Sequence, residues 1–342
     1  MRPNGKGIAY DVMKFKAKNV ENACESVTSF TQIPSSHKFG LSYFHSFGLS
    51  PNYIIFLEQS LVIDMKKLLW YKIKISKRRL FKSFIFRNAL ANKPFTSALK
   101  TNQNFQTQIH LIDRHTGQLL QKKFVTDPQF TFHHVNAFEV NQNDSNKHEL
   151  IIDVCSYDAK TFEIKNFNYD EKNEEQVLRL FDETARPTPR RIRVPLFDKR
   201  ANNEKVHCEI KDVAPNVMME LPTINYGRYN TKPYNYAYGF GSIKAPHTIV
   251  KLNFNNGNDV KQALIKTDNR VILPSEPIFV ERPDAKSEDD GVVLTQVLGD
   301  KYDSLVIFDA KTLEEIGRAE FPENVKSSYT FHGFFSENRA FN

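Results

Sequence analysis

Ten histidines are spread over 342 residues, and three of them lie among apolar or aromatic neighbours that would bury them. They are His45 in Tyr43-Phe44-His45-Ser46-Phe47-Gly48, His133 in Phe130-Thr131-Phe132-His133-His134-Val135-Asn136, and His332 in Phe331-His332-Gly333-Phe334. A buried imidazole needs a partner, since an unsatisfied one costs roughly 1–3 kcal/mol. The partner is either a core hydrogen bond or a metal ion, for which neutral imidazole is a common ligand. Three histidines this far apart reach one ion only if the chain closes on itself. The remaining seven have plainer readings: a turn residue (His115), polar stretches (His37, His148, His207), a strand (His110), a loop after proline (His247) and a neighbour of His133 (His134). Two acids, Glu220 in Met218-Met219-Glu220-Leu221-Pro222 and Glu276 in Pro274-Ser275-Glu276-Pro277-Ile278, lie in apolar surroundings. A buried carboxylate also needs a partner, and metal-bound histidines often donate their second nitrogen to one. The alternative for each is a surface glutamate beside a proline. No local Cys/His spacing marks zinc, no nucleophile elbow or Ser/His/Asp order appears, and no glycine-rich phosphate loop is present. The residues themselves permit an all-imidazole metal centre or a set of satisfied core histidines.

The elements that must position these groups read as strands. Tyr53–Leu57, Gln108–Ile112, Leu150–Val154 and Ser304–Phe308 are short β-branched or aromatic runs. Turns of one kind follow several of them, at Asp113–Gly117, Tyr157–Thr161, Asn253–Asn258 and Asp309–Leu313. Asp or Asn at the entry suits tight hairpins. Recurrent strand–turn–strand units predict a β-propeller or a large sandwich; unrelated hairpins are the alternative. The best helix pattern is Glu171–Asp182, with Val177, Leu178 and Phe181 on one face. Asp182–Arg193, with two prolines and four arginines, reads as a loop leading into a strand at Val194, and Glu281–Gly291 reads as an acidic loop. Residues 61–88 interleave apolar and basic residues around the sole Trp, Trp70. A helix through 61–71 would place Leu61, Met65, Leu68 and Leu69 near one face, the pattern of a membrane-interface segment. The alternative is a helix packed on the protein's own core.

Composition narrows the classes. Hydrophobic residues are 40% and charged residues 25%, which favours a folded chain over a disordered one. The excess of 47 basic over 40 acidic residues gives +7. That permits an anionic membrane surface, while no nucleic-acid-binding motif accompanies the charge. Cys24, Cys155 and Cys208 form no CxxC pair and no even framework, so a reducing compartment is the expectation. No run of 18 apolar residues predicts a transmembrane helix. The start lacks the apolar core of a signal peptide and reads as the middle of a β segment.

Five blocks carry a resemblance. His45–Gln59 (HSFGLSPNYIIFLEQ), Phe132–Glu139 (FHHVNAFE), Leu221–Gly239, Pro274–Val297 (PSEPIFVERPDAKSEDDGVVLTQV) and Phe331–Phe335 (FHGFF) resemble, in order and spacing, the carotenoid cleavage oxygenase family. They are most similar to its animal branch of β-carotene oxygenases and the retinal pigment epithelium isomerohydrolase. The resemblance implies an all-β fold, a seven-bladed β-propeller capped by a dome of loops, incomplete here because the early blades are missing. It also implies one Fe(II) on the axis, with His45, His133 and His332 as ligands and Glu220 and Glu276 hydrogen-bonded behind them. His134 is the non-ligand neighbour, Tyr157 lines a substrate tunnel, and 61–88 is a membrane-facing insertion. The family's first ligand histidine lies upstream of His45, where nothing matches, so the chain is expected to lack roughly the first third of a family member. The implied activity is cleavage of a carotenoid or apocarotenoid double bond by O2 to aldehydes. The alternatives are retinyl-ester isomerohydrolysis on the same iron, or a truncated chain without activity. The expected place is cytoplasmic and peripherally membrane-associated, with no nucleic-acid partner.

Overall fold

A computed structural model describes residues 2–4, 7–15, 27–37, 40–67, 95–141, 148–162, 186–197, 204–242, 248–265, 274–298, 302–325, 327–328 and 330–336. Strands dominate these residues and join into six sheets. An N-terminal sheet holds β1 (Arg2–Asn4), β2 (Gly7–Lys14) and β3 (Thr28–Pro34). A small sheet joins β4 (Gly40–Ser42), β7 (Leu61–Asp64) and β8 (Leu99–Thr101). The other four are propeller blades, each a meander that starts at its innermost strand.

Blade 1 runs from β5 (Gly48–Leu49) through β6 (Tyr53–Glu58) and β9 (Thr107–Asp113) to β10 (Lys123–Thr126). Its outer edge is closed by β14 (Lys205–His207), which pairs in parallel with β10. Blade 2 has β11 (Gln129–Asn141), β12 (His148–Asp158), β13 (Thr188–Pro195) and β15 (Glu209–Asp212). Blade 3 has β16 (Met218–Thr223), β17 (Tyr236–Ser242), β18 (Thr248–Asn253) and β19 (Val260–Leu264). Blade 4 has β20 (Ile278–Glu281), β21 (Gly291–Val297), β22 (Ser304–Asp309) and β23 (Glu315–Glu320). A single turn of helix, α1 (Tyr226–Tyr229), follows β16.

The blades stack face to face in chain order, and strand alternation shows why. In β12, Leu150, Ile152 and Val154 pack with Ile55, Leu57, Ile109 and Leu111 of blade 1. Ile151 and Cys155, on the other face, pack with Met219, Ala237 and Val250 of blade 3. A strand covered on both faces carries a continuous apolar run rather than an alternating one, and each such side chain contributes roughly 1.5–3 kcal/mol on burial. Ile249 and Tyr238 repeat the arrangement between blade 3 and Val293, Val306 and Phe308 of blade 4.

The turns have the expected chemistry. Asp113 Oδ1 accepts from the amides of His115 and Thr116 at 2.9 and 2.7 Å. Asp309 Oδ1 does the same for Lys311 and Thr312, both at 2.9 Å. Asn253 serves Asn255 and Asn256, and Asp158 serves Lys160. Side-chain caps of this kind fix the hairpin corners.

Two sequence expectations are corrected. Of the helix expected over 61–71, residues 61–64 are strand, with Leu61, Val62 and Ile63 paired with β8 and Leu61 fully buried, while 65–67 are helical. A three-residue apolar run does not distinguish a helical period from a buried strand. Of that basic apolar stretch, 68–88 lies outside the described residues, as does the helix expected over 171–182. The loop expected over 182–193 is a strand from Thr188 onward. Pro189 is tolerated because it stands near the strand's start, before β15 begins to pair at Arg190. The arginines of β13 find carboxylates: Arg190 with Asp212 at 2.7 Å, Arg191 with Asp153 at 2.8 Å and Arg193 with Glu149 at 3.0 Å.

Candidate metal centre

The innermost strands carry the chemistry. His45 stands three residues before β5, His133 within β11 and Glu220 within β16; Glu276 lies just before β20. His332 belongs to the segment after β23. That segment returns beside Glu276, whose amide donates to the carbonyl of Phe331 at 3.3 Å. The three histidines offer ring nitrogens within 4.8 Å of one another; contrary to the burial expected from their neighbours, His45 and His332 are exposed and only His133 is partly buried. Their ring centroids are 5.0 Å (His45–His133), 5.1 Å (His133–His332) and 6.1 Å (His45–His332) apart.

Two backbone irregularities aim the central pair. The pairing of β11 with β12 slips between Thr131 and His134 and again between His134 and Asn136. A bulge of this kind turns a side chain out of the regular alternation, and here it turns His133 to the axis. The pairing of β16 with β17 slips between Glu220 and Thr223, and Leu221 takes a positive φ of 48°, which is uncommon for a residue with a branched side chain. Glu220 Oε2 then receives Nδ1 of His133 at 2.5 Å, and the Leu221 amide at 2.9 Å.

The donor set fits a metal. His133 Nδ1 is occupied by Glu220, whereas His133 Nε2 is buried and has no hydrogen-bond partner. An unsatisfied buried nitrogen among two other imidazoles is the arrangement a cation would complete. Nδ1 of His45 lies 3.2 Å from the Tyr43 hydroxyl. Nδ1 of His332 lies 3.3 Å from Glu276 Oε1, and Glu276 Oε2 accepts the Gly333 amide at 3.1 Å. Each ring thus has one nitrogen engaged from behind. Burial, with the neighbouring His133 and His332, holds His45 below the usual histidine range. Burial also lowers His133, but the Glu220 carboxylate outweighs it and leaves His133 raised.

His134 is outside the group. Its Nδ1 lies 2.8 Å from Ser46 Oγ, and burial, then the charge of His133, pushes it down to about 3. Tyr157 is buried among Phe130, Phe132 and Phe162, at ring distances of 5.8, 5.5 and 5.0 Å. It stands one ring behind the centre: Phe132 meets His45 edge to face at 5.7 Å. Sequence reasoning missed Tyr43, Gln59 and Ser46. Gln59 and Ser46 lie inside a block that carries the family resemblance, and Tyr43 only two residues before it. The visible signal for Gln59 was a lone amide closing the apolar run of β6. The described histidines His37, His110, His115, His148 and His207 lie outside the cluster.

Known proteins share this architecture. Among solved structures, an ACO/RPE65 chimera superposes with a TM-score of 0.64 at 21% identity, covering 90% of this chain and 55% of the other. Cobalt-substituted Synechocystis ACO superposes at 0.61, with 20% identity and coverages of 85% and 51%. Among curated relatives, a mitochondrial carotenoid-cleaving dioxygenase of Macaca fascicularis is 31% identical over 96% of this chain and 60% of its own length. The ferret protein of the same name, from Mustela putorius furo, is 28% identical over 96% and 61%. A human β,β-carotene 15,15'-dioxygenase is 31% identical over 90% and 54%. The chain therefore spans about 60% of the length of these relatives. The family model described as retinal pigment epithelial membrane protein, RPE65, matches residues 2–337. With its propeller blades and its converging histidines, the chain belongs to that family, the carotenoid cleavage oxygenases.

Proposed function

We propose that this chain carries the iron-binding part of an oxygenase that cleaves a double bond of a carotenoid or apocarotenoid with O2, giving two aldehydes. The observation that carries the reading is the buried, unpartnered Nε2 of His133, facing His45 and His332, in a ring whose other nitrogen is held by Glu220. Family membership supplies the reaction class, and the relatives named as carotenoid dioxygenases favour cleavage over retinyl-ester isomerohydrolysis.

His45, His133 and His332 would hold the iron, and a fourth imidazole is expected from the part of the relatives' length that this chain does not span. Bound Fe(II) would supply an open position for O2 next to the substrate double bond. The chain's own residues do the rest by placement. Glu220 keeps the His133 proton on Nδ1, so that Nε2 presents its lone pair to the axis. Glu276 serves His332 in the same way from a longer distance. Phe132, Tyr157, Phe130 and Phe162 form an aromatic wall behind His45. Phe132, the partly exposed ring, would meet an apolar polyene, while Phe130, Tyr157 and Phe162 are buried in the core and hold it from behind. No protein nucleophile or general acid is needed by this chemistry. We place the enzyme at a membrane surface in the cytoplasm, where its apolar substrate resides. Among the described residues no helix is long and apolar enough to cross a bilayer.

The test is iron per chain after anaerobic loading and desalting, followed by product analysis with a carotene. About one iron, lost in His133→Ala, with aldehyde products supports the reading. A cis-retinol released from a retinyl ester, with no aldehyde, would replace cleavage by isomerohydrolysis. An unloaded chain without turnover would assign the activity to a longer protein.

A further inference from the structure

We propose that Gln59 and Ser46 are positioning residues: two side-chain clamps that set the spacing between His45 and His133. This rests on the metal-centre reading above. The problem the clamps address is visible in the sheets. His45 and His133 belong to the inner edges of different blades, and among the described strands β5 pairs only with β6, and β11 only with β12. No described backbone ladder joins the segment around His45 to the segment around His133, so side chains must fix their distance.

Gln59 does so on one side. The residue is 2% exposed, and its side-chain amide makes three hydrogen bonds, all to these two segments. Oε1 accepts from the Thr131 amide at 2.9 Å, while Nε2 donates to the Thr131 carbonyl at 2.9 Å and to the Tyr43 carbonyl at 3.1 Å. Tyr43 and Thr131 each stand two residues before a histidine of the centre. Gln59 is itself pinned: its backbone N–H donates to Ser42 Oγ at 2.8 Å, and its backbone carbonyl accepts from the same hydroxyl at 3.0 Å.

Ser46 does so on the other side, one residue after His45. Its hydroxyl donates to the Phe132 carbonyl at 2.7 Å and accepts from the His134 amide at 3.0 Å. The hydroxyl has one proton, already committed to Phe132. The 2.8 Å contact with the His134 ring therefore has Nδ1–H of His134 as donor. The residues directly before and after His133 are thereby bound to the residue directly after His45. Each clamp both accepts and donates across its gap, Gln59 through its amide and Ser46 through its hydroxyl.

The experiment uses the whole chain and cobalt(II) as a spectroscopic probe. Gln59→Met, close in size but with no amide to donate or accept, and Ser46→Ala are compared with the native chain; Ser46→Thr, which keeps the hydroxyl, is the rescue. We expect each clamp variant to bind cobalt about 10-fold more weakly, the low end for residues acting through a ligand. We also expect a changed visible cobalt band, with both effects reversed in Ser46→Thr. In the metal-free chain, isotope-labelled histidine should show the ring signals of both His45 and His133 moving in each variant, although neither clamp side chain touches either ring. If native affinity, band and ring signals persist in both folded variants, the clamps are overturned. If the native chain binds no cobalt while the ring signals still move, the metal reading fails and the clamps stand.

Discussion

At the scale of single residues, the centre is asymmetric, and the asymmetry predicts unequal consequences. The His133–Glu220 pair is 2.5 Å long with side chains 15% and 9% exposed. The His332–Glu276 pair is 3.3 Å long, and its histidine is 47% exposed. A shielded hydrogen bond to a charged group is stronger than one that water can replace. Glu220→Ala should therefore lower iron affinity by roughly 10–100-fold, and Glu276→Ala by clearly less. Equilibrium dialysis of the two variants checks the order, and a larger loss in Glu276→Ala would contradict it. All four of these residues were legible in the sequence, because an imidazole or carboxylate in an aromatic or apolar context demands a partner. Their pairing was not, since nothing in the local sequence says which acid meets which ring.

At the scale of elements, the inner strand of blade 3 is held in its irregular form by close approach. A Cβ on Gly239 of β17 would lie 2.7 Å from Met219 Cγ and 2.9 Å from the Glu220 carbonyl. The side chain would push β16 away where the bulge aims Glu220. Gly239→Ala should cost about 1–3 kcal/mol and lower iron retention together with the melting temperature. Between blades 2 and 3, Asp153 is fully buried under Arg191, at 2.8 Å to both carboxylate oxygens, and under the Tyr234 hydroxyl at 2.9 Å. Arg191→Leu would leave that carboxylate without its cation and should destabilise the chain by about 3–5 kcal/mol, read as a lower urea midpoint. The turn residues announced the returns after β9, β18 and β22 correctly, whereas Asp158 caps a turn with no tight hairpin, since β12 meets β13 only from Thr188 onward. The prolines and arginines near 190 misled, because Arg191 is carried inside by a carboxylate that arrives from another strand.

At the scale of the whole molecule, the N-terminal sheet is tied to blade 1 by a polar knot. Glu58 at the end of β6 accepts from Tyr10 of β2 at 3.1 Å, from Ser35 Oγ at 3.0 Å and from the Ser36 amide at 2.8 Å, and lies 3.2 Å from Nε2 of His110. Burial by itself would raise Glu58, but His110 and the Ser36 hydrogen bonds outweigh it and hold it below its ordinary value of 4.5. The sign follows. A carboxylate lowered in the folded state stabilises above its unfolded value and loses that contribution as pH falls through its folded value. Acidification below about 4.5 should therefore loosen the N-terminal sheet from blade 1. Amide exchange in β2 and β3 should rise over that range, and Glu58→Gln should blunt the dependence. Unchanged protection on acidification would refute the link.

Local facts could be read along the chain: short buried strands, Asx-capped turns, and aromatic or apolar blocks carrying His45, His133, His332, Glu220 and Glu276. Local steric preference and the need to satisfy buried polar groups are written in neighbouring residues, so they can be read there. That these blocks meet is visible in the folded chain alone. Stacking the blades brings their inner edges to one axis. The bulges at His133 and Leu221 then turn side chains out of the strand alternation, and Gln59 and Ser46 bridge edges that share no ladder. Each of these depends on contacts between residues distant in the chain, and no local pattern encodes such contacts.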